Sequence, residues 1–373
     1  MGNNNSSRVV LTFDRLNSNF LAGELVSGSV QFEMLEQFDK VHAVYLEIVG
    51  EAGYTTEERR TITVDAKQKV EIYAKNHNVL FLKTRITVKR REAGEQNLPL
   101  VPGIIYNWPF QVQLPQHLPP TLHEVDYPYI KYYIQSVIDR PWYKRNSEWK
   151  HALSIFPDMN LQYIPDVQQL AQFSNANREE IDIQIIFPKL GYVPNETLVS
   201  TIEIKNPNQI TIKHIQIFLY QHYRIQNNAR TNIIFSSTIP DIQKFNDVQI
   251  SKPFSFVVSS VNLPPTSNYI GGIDQAITVN VSYELRFVIK GQEPNLWDRV
   301  SGYFSSIPVK QLSSDINISV PITIGTFPHQ QYSPNDGASS SAQFLLTPSA
   351  PSEEDLPPSY ESLVHNSSVK TPI

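Results

Sequence analysis

The chain has 373 residues, 40% of them hydrophobic, with a net charge of −5 and no cysteine. That is enough chain for two domains of ordinary size and enough apolar content for packed cores. The missing cysteine excludes disulfides and thiolate zinc sites. The acidic balance, with a pI ≈ 6.0, argues against nucleic acid as the main partner, and no stretch approaches the ~18 apolar residues of a membrane span.

Residues 1–7, Met-Gly-Asn-Asn-Asn-Ser-Ser, form a polar leader that is expected to be disordered. It has neither the basic start nor the apolar run of a secretory signal, so the chain is expected to be cytosolic. The sequon at Asn195 is then a chance match. The leader fits the Met-Gly-x-x-x-Ser pattern and marks Gly2 as a candidate for myristoylation. One acyl chain gives only marginal membrane binding and needs a second signal.

From Arg8 onward, short alternating segments dominate. Strands are expected at 9–13, 25–32 and 41–50, the second entered through turn residues 22–24. Within 41–50, Val41, Ala43, Tyr45, Glu47 and Val49 share one face, and Val44, Leu46 and Ile48 the other. In the strand at 81–91, Lys83, Arg85, Lys89 and Arg91 fall on one face together with Thr87. That row is a candidate contact for phosphate groups or an anionic membrane, although an outer sandwich face is polar in any case. Strands follow at 104–114 and 129–139, the second ended by Arg140-Pro141-Trp142. Lys144, Arg145, Lys150 and His151 add positive charge near Trp142 and Trp149. Period-two alternation with turn residues between the runs argues for an all-β sandwich. Residues 157–180, with Pro157, Pro165 and a polar run, are expected to connect two domains, with one short helical turn near Val167.

The second half repeats the first. Residues 192–204 echo 20–32, and 212–219 echo 41–49. Pro253-Phe254 is followed by Leu263-Pro264-Pro265-Thr266, as Pro109-Phe110 is followed by Leu118-Pro119-Pro120-Thr121. The strand at 279–289 matches 129–138, and 316–324 closes the copy. Four landmarks in one order make two copies of one sandwich the expected fold, over 8–156 and 181–325.

A Gly23-Glu24-x-Val26-Ser27-Gly28 strand, a Pro-Phe strand leading to Leu-Pro-Pro, the ending Asp139-Arg140-Pro141-Trp142 and a second similar domain together resemble the arrestin family over residues 8–325. The resemblance implies two curved immunoglobulin-type β-sandwiches of about seven strands each and adaptor work on membrane cargo; no enzymatic activity and no cofactor are expected, because the residues show no catalytic constellation. The tail narrows it to the α-arrestins; the clathrin-binding boxes of visual and β-arrestins have no counterpart.

The tail, residues 326–373, is expected to be disordered. Of the 47 residues from Phe327, seven are proline and ten serine, too polar to offset the entropy of ordering. It holds two short motifs. Pro357-Pro358-Ser359-Tyr360 can dock in a WW domain, where an aromatic groove takes Pro357 and Pro358 and a second pocket takes Tyr360. Glu353, Glu354 and Asp355 supply an acidic flank that steers toward a basic rim. Pro348-Ser349-Ala350-Pro351 resembles the peptides that bind the UEV domain of the ESCRT-I complex. By resemblance the partners are a WW-containing HECT ubiquitin ligase and ESCRT-I, and the location is the cytoplasm with recruitment to plasma membrane and endosomes. The alternative is a structural coat or sorting subunit of a retromer-like complex, in which the tail is idle.

Catalytic signatures are absent: no Gly-x-Ser-x-Gly elbow, no His-Glu-x-x-His and no phosphate-binding Gly-x-x-x-x-Gly-Lys-Ser/Thr loop. His214 and His222 lie near each other without the carboxylates a metal site needs, so no metal is expected.

Overall fold

A computed structural model describes residues 7–326 apart from 37–39, 65–66, 92–97, 99, 123–125, 144–145, 176–180, 241, 243, 259–262 and 292–314. The described chain is mostly β-strand, with two short 3-10 turns at Leu161–Tyr163 and Pro165–Gln168. Gly2, the Pro348–Pro351 motif and the Pro357–Tyr360 motif lie outside the described residues.

The first sandwich holds β1 (Ser7–Phe13), β2 (Asn19–Leu21), β3 (Leu25–Met34), β4 (Ala43–Val64), β5 (Lys67–Arg90), β6 (Ile105–Gln113), β7 (Tyr129–Asp139) and β8 (Ser147–Phe156). They form a three-stranded sheet β1-β3-β6 and a five-stranded sheet β2-β8-β7-β4-β5. The second sandwich holds β9 (Ala171–Ser174), β10 (Asp182–Phe187), β11 (Gly191–Tyr192), β12 (Thr197–Lys205), β13 (Ile212–Ile225), β14 (Asn228–Thr238), β15 (Gln249–Val257), β16 (Ser267–Gly271), β17 (Ile277–Gly291) and β18 (Ile316–Ile324). Its sheets are β15-β12-β10-β9 and β11-β18-β17-β13-β14, with β16 on β17. Alternation drives both cores: Val26, Val30, Phe32 and Met34 of β3 point inward, as do Leu198, Ile202 and Ile204 of β12.

The internal repeat extends to single hydrogen bonds. Leu-Pro-Pro-Thr does the same work twice. Thr121 Oγ1 accepts from Ile155 N at 2.8 Å, and Thr266 Oγ1 from Ile324 N at 2.9 Å. Each motif's first proline carbonyl accepts from a buried tyrosine: Tyr132 Oη to Pro119 O at 2.6 Å, and Tyr283 Oη to Pro264 O at 2.5 Å. Pro119 and Pro264 lie outside the strand ladders, so a side chain rather than a neighbouring strand satisfies each carbonyl. The turns before β3 and β12 also match. Gly23 and Asn195 both take positive φ, +81° and +68°, the left-handed region that glycine and asparagine tolerate. Glu24 then accepts from Leu21 N at 2.8 Å, and Glu196 from Val193 N at 2.9 Å. Arg15 pairs with Glu24, and Lys189 with Glu196.

Two features depart from the plain alternating reading. The segments at 41–50 and 79–91 are the base of one hairpin, with strands of 22 and 24 residues. β7 pairs with β4 only from Ala43 to Gly53, so the outer part is a two-stranded ribbon. Within the stretch read as connector, β9 forms and pairs with β10.

Candidate interaction surfaces

The outward face of the five-stranded sheet collects charge around one carboxylate. Glu47 on β4 lies opposite Arg85 on β5 and Gln135 on β7. Arg85 donates to Glu47 Oε1 from Nε at 2.9 Å and from Nη2 at 2.8 Å. Lys83 Nζ stands 3.4 Å from Glu47 Oε2. The carboxylate is 4% exposed, whereas the Lys83 and Arg85 side chains are 44% and 55% exposed. The guanidinium also lies 4.0 Å from the centroid of the Tyr45 ring, within cation–π range. Burial pushes the Tyr45 phenol above its ordinary pKa, partly offset by Arg85; the hydrogen bond to Glu47 raises the Arg85 pKa.

The same face continues along β7 and β8. Lys131 Nζ pairs with Glu51 Oε1 at 2.7 Å and lies 4.6 Å from the Tyr129 centroid. Lys150 Nζ lies 4.4 Å from the Tyr133 centroid.

The basic row proposed from alternation divides in two. The structure brings Lys83 and Arg85 together on Glu47. Between Thr87 and Lys89 the register shifts at Val44/Tyr45, so Thr87 faces Tyr45, Lys89 faces Val44 and Arg90 faces Ala43. This β-bulge resets the pleat, and Lys89 and Arg91 sit at the end of the sheet, exposed. Arg91 N donates to His42 O at 3.2 Å. Glu47 was the missed residue. Its signal was a lone acid on the outward face of an apolar strand, opposite a basic one.

On the second sandwich, a second cluster of polar groups forms around Glu284 of β17, whose side chain is 22% exposed. Glu284 accepts from Arg286 Nε at 2.8 Å and Ser319 Oγ at 2.8 Å, and His222 Nε2 stands 3.4 Å away. Burial pushes its pKa up, but the Ser319 and Arg286 hydrogen bonds outweigh this and hold it below the ordinary value. Among the described residues, no group of three or more His, Asp or Glu is placed to hold a metal ion.

The two sandwiches meet at the ribbon base. Asn228 Nδ2 donates to Thr55 O at 2.8 Å, and its Oδ1 accepts from Thr55 N and from Thr55 Oγ1, the latter at 3.1 Å. The side-chain amide thus satisfies a strand edge as a neighbouring strand would. Gln275 Nε2 donates to Tyr54 Oη at 3.1 Å, and the Phe81 and Tyr269 rings meet edge-on at 6.1 Å. Beside them lies a cleft of ≈ 410 Å³ lined by Gly23, Gln116, His117, Asp158, Ser267 and Tyr269, among others.

Each of the two sandwiches carries a Leu-Pro-Pro-Thr staple, and each matches a known domain family. The N-terminal domain of arrestin (or S-antigen) matches residues 9–162, and the C-terminal domain of arrestin (or S-antigen) matches residues 177–329. The chain belongs to the arrestin family. Arrestins are non-enzymatic adaptors of the trafficking type that bind cargo and trafficking partners, and this arrestin shares that role. No curated protein matches the chain.

Proposed function

We propose that this arrestin is an α-arrestin-type adaptor that links membrane cargo to a WW-domain HECT ubiquitin ligase, and through a second motif to ESCRT-I. The observation that carries the reading is Pro357-Pro358-Ser359-Tyr360, with Pro348-Ser349-Ala350-Pro351 nearby, downstream of an arrestin pair. Leu-Pro-Pro also occurs twice inside the fold, where it is consumed by the staples. Only the third copy is followed by Ser359-Tyr360. Proline stiffens such a peptide beforehand, which lowers the entropy lost on docking.

In this reading the sandwiches hold cargo, the tail recruits the ligase, and the work is done in the cytoplasm, at the plasma membrane and on endosomes. Myristoylation of Gly2 adds one weak membrane signal. Fixing two weak partners on one membrane raises their joint occupancy through effective concentration. The test is capture from cells with the full chain and with a chain ending at residue 326. Ligase and ESCRT-I components recovered only with the full chain support the reading. A stable stoichiometric complex that survives the truncation contradicts it and favours a coat subunit.

A further inference from the structure

The five-stranded sheet has two ends. Gly53 and Tyr129 lie at the end that meets the second sandwich. Ala43, Arg90 and Asp139 share the rung at the other end, about 33 Å away along β4 at the usual strand rise. That far tip carries an unusual side-chain set. Trp142, in the turn between β7 and β8, is 96% exposed, and Tyr143 beside it is 53% exposed. Their rings meet edge-on at 5.7 Å. Lys40 Nζ stands 5.4 Å from the Tyr143 centroid. Leu35, Val101, Ile104 and Ile105 are exposed at the same end of the opposing sheet, where Met34 O accepts from Gly103 N at 2.7 Å.

Charge gathers there too. Lys40, Lys89, Arg90 and Arg91 are exposed and Arg140 is half-buried, against the carboxylates of Glu36 and Asp139. The chain itself enters at this end, since Ser7 pairs with Met34. Gly2 is five residues upstream, a span of at most ~18 Å.

We infer that this tip is a membrane-docking edge: Trp142 and Tyr143 insert at the headgroup level of an anionic phospholipid surface while Lys89, Arg90, Arg91 and Lys40 contact its phosphates. An exposed tryptophan and tyrosine ringed by cations suit the interface, where amphipathic rings settle and basic side chains meet anionic lipid. The tip also supplies the second signal that a single acyl chain on Gly2 would need. The inference rests on the adaptor reading only in presuming that the chain works at a membrane.

The experiment uses the full chain without the acyl group. Co-sedimentation is measured with vesicles of phosphatidylcholine alone and of phosphatidylcholine with phosphatidylserine, and tryptophan emission is followed with brominated acyl chains. The wild-type chain should bind only the anionic vesicles, less so as salt rises, and brominated lipid should quench its emission. Arg90→Gln should bind about fivefold less tightly. Trp142→Ala should weaken binding and abolish the quenching; at 96% exposure the ring is not needed for folding. Failure of the wild-type chain to bind anionic vesicles overturns the inference. So does undiminished binding by both variants, which places the contact elsewhere, or loss of a protein partner as the only effect of the substitutions. WW-domain binding is read on the same Trp142→Ala protein. Its retention alongside a failed tip sinks the tip alone, whereas its absence from the wild-type chain sinks the adaptor reading and leaves the tip standing.

Discussion

Arg85→Met asks whether the basic row is a ligand surface or the cover of a buried acid. Removing one member of a fully buried ion pair costs about 3–5 kcal/mol, whereas exposed pairs contribute at most about 1 kcal/mol. The Glu47 carboxylate is 4% exposed and Arg85 is 55% exposed, with Lys83 still 3.4 Å away. The pair therefore falls between these limits, at about 2 kcal/mol, including the cation–π contact with Tyr45. For a domain of this size that is a fall in Tm of about 4–8 °C. Thermal unfolding followed by circular dichroism reads it. Lys89→Met is the control, since an exposed cation beyond the bulge should cost within about 0.5 kcal/mol. Adding Glu47→Gln to Arg85→Met should recover part of the loss, because the orphaned charge is then gone. If Arg85→Met loses no more than Lys89→Met, the reasoning that Glu47 is a buried charge held by Arg85 is refuted.

Other predictions concern the scaffold. Tyr132→Phe leaves Pro119 O without its donor and should destabilise the first sandwich by about 1–2 kcal/mol in urea unfolding. Tyr283→Phe should cost more, because Tyr283 Oη also accepts from Gln221 Nε2 at 2.9 Å; equal losses would contradict the account. Gly50→Ala should cost about 1–3 kcal/mol, since a Cβ there would stand 2.7 Å from the Phe81 ring; a neutral result would show that Phe81 can shift freely. His151 is held below the ordinary imidazole pKa by burial. The unfolded chain therefore takes the proton more readily, and stability should be full above about pH 6.5 and fall as pH drops below it. His151→Leu should flatten that dependence in a series of denaturation curves, and an unchanged slope would exclude His151 as its source.

The fold was readable because its repeat is written in residues with fixed mechanical jobs. Leu-Pro-Pro-Thr staples a loop to an end strand twice, and the Gly23-Glu24 turn has its counterpart in Asn195-Glu196. The ribbon beyond Gly53 was not readable, for a physical reason. Beyond the Asn228 contact at Thr55, no strand pairs with either edge of its outer part among the described residues, so Glu57, Arg59 and Thr61 carry no apolar alternation to mark a strand. The bulges after Val44 and Gly50 are equally silent, since a register shift depends on the facing strand. The one after Val44 takes Lys89 out of the row that simple alternation gives it. Glu47 left a trace as an acid among Tyr45 and Val49, but its partners sit 36 and 38 positions along the chain. The tip around Trp142 is assembled from β4, β5, β7 and β8, and only the closed sheet shows that its aromatic and basic residues share one end.

The central claim is that an arrestin scaffold lends its tail to a ubiquitin ligase, and Tyr360 tests it most directly. Titration calorimetry of the full chain with an isolated WW domain of a HECT ligase should show one-to-one binding that Tyr360→Ala abolishes and Tyr132→Phe leaves intact. Equal binding by the wild-type chain and Tyr360→Ala, or no binding by either, would contradict the account.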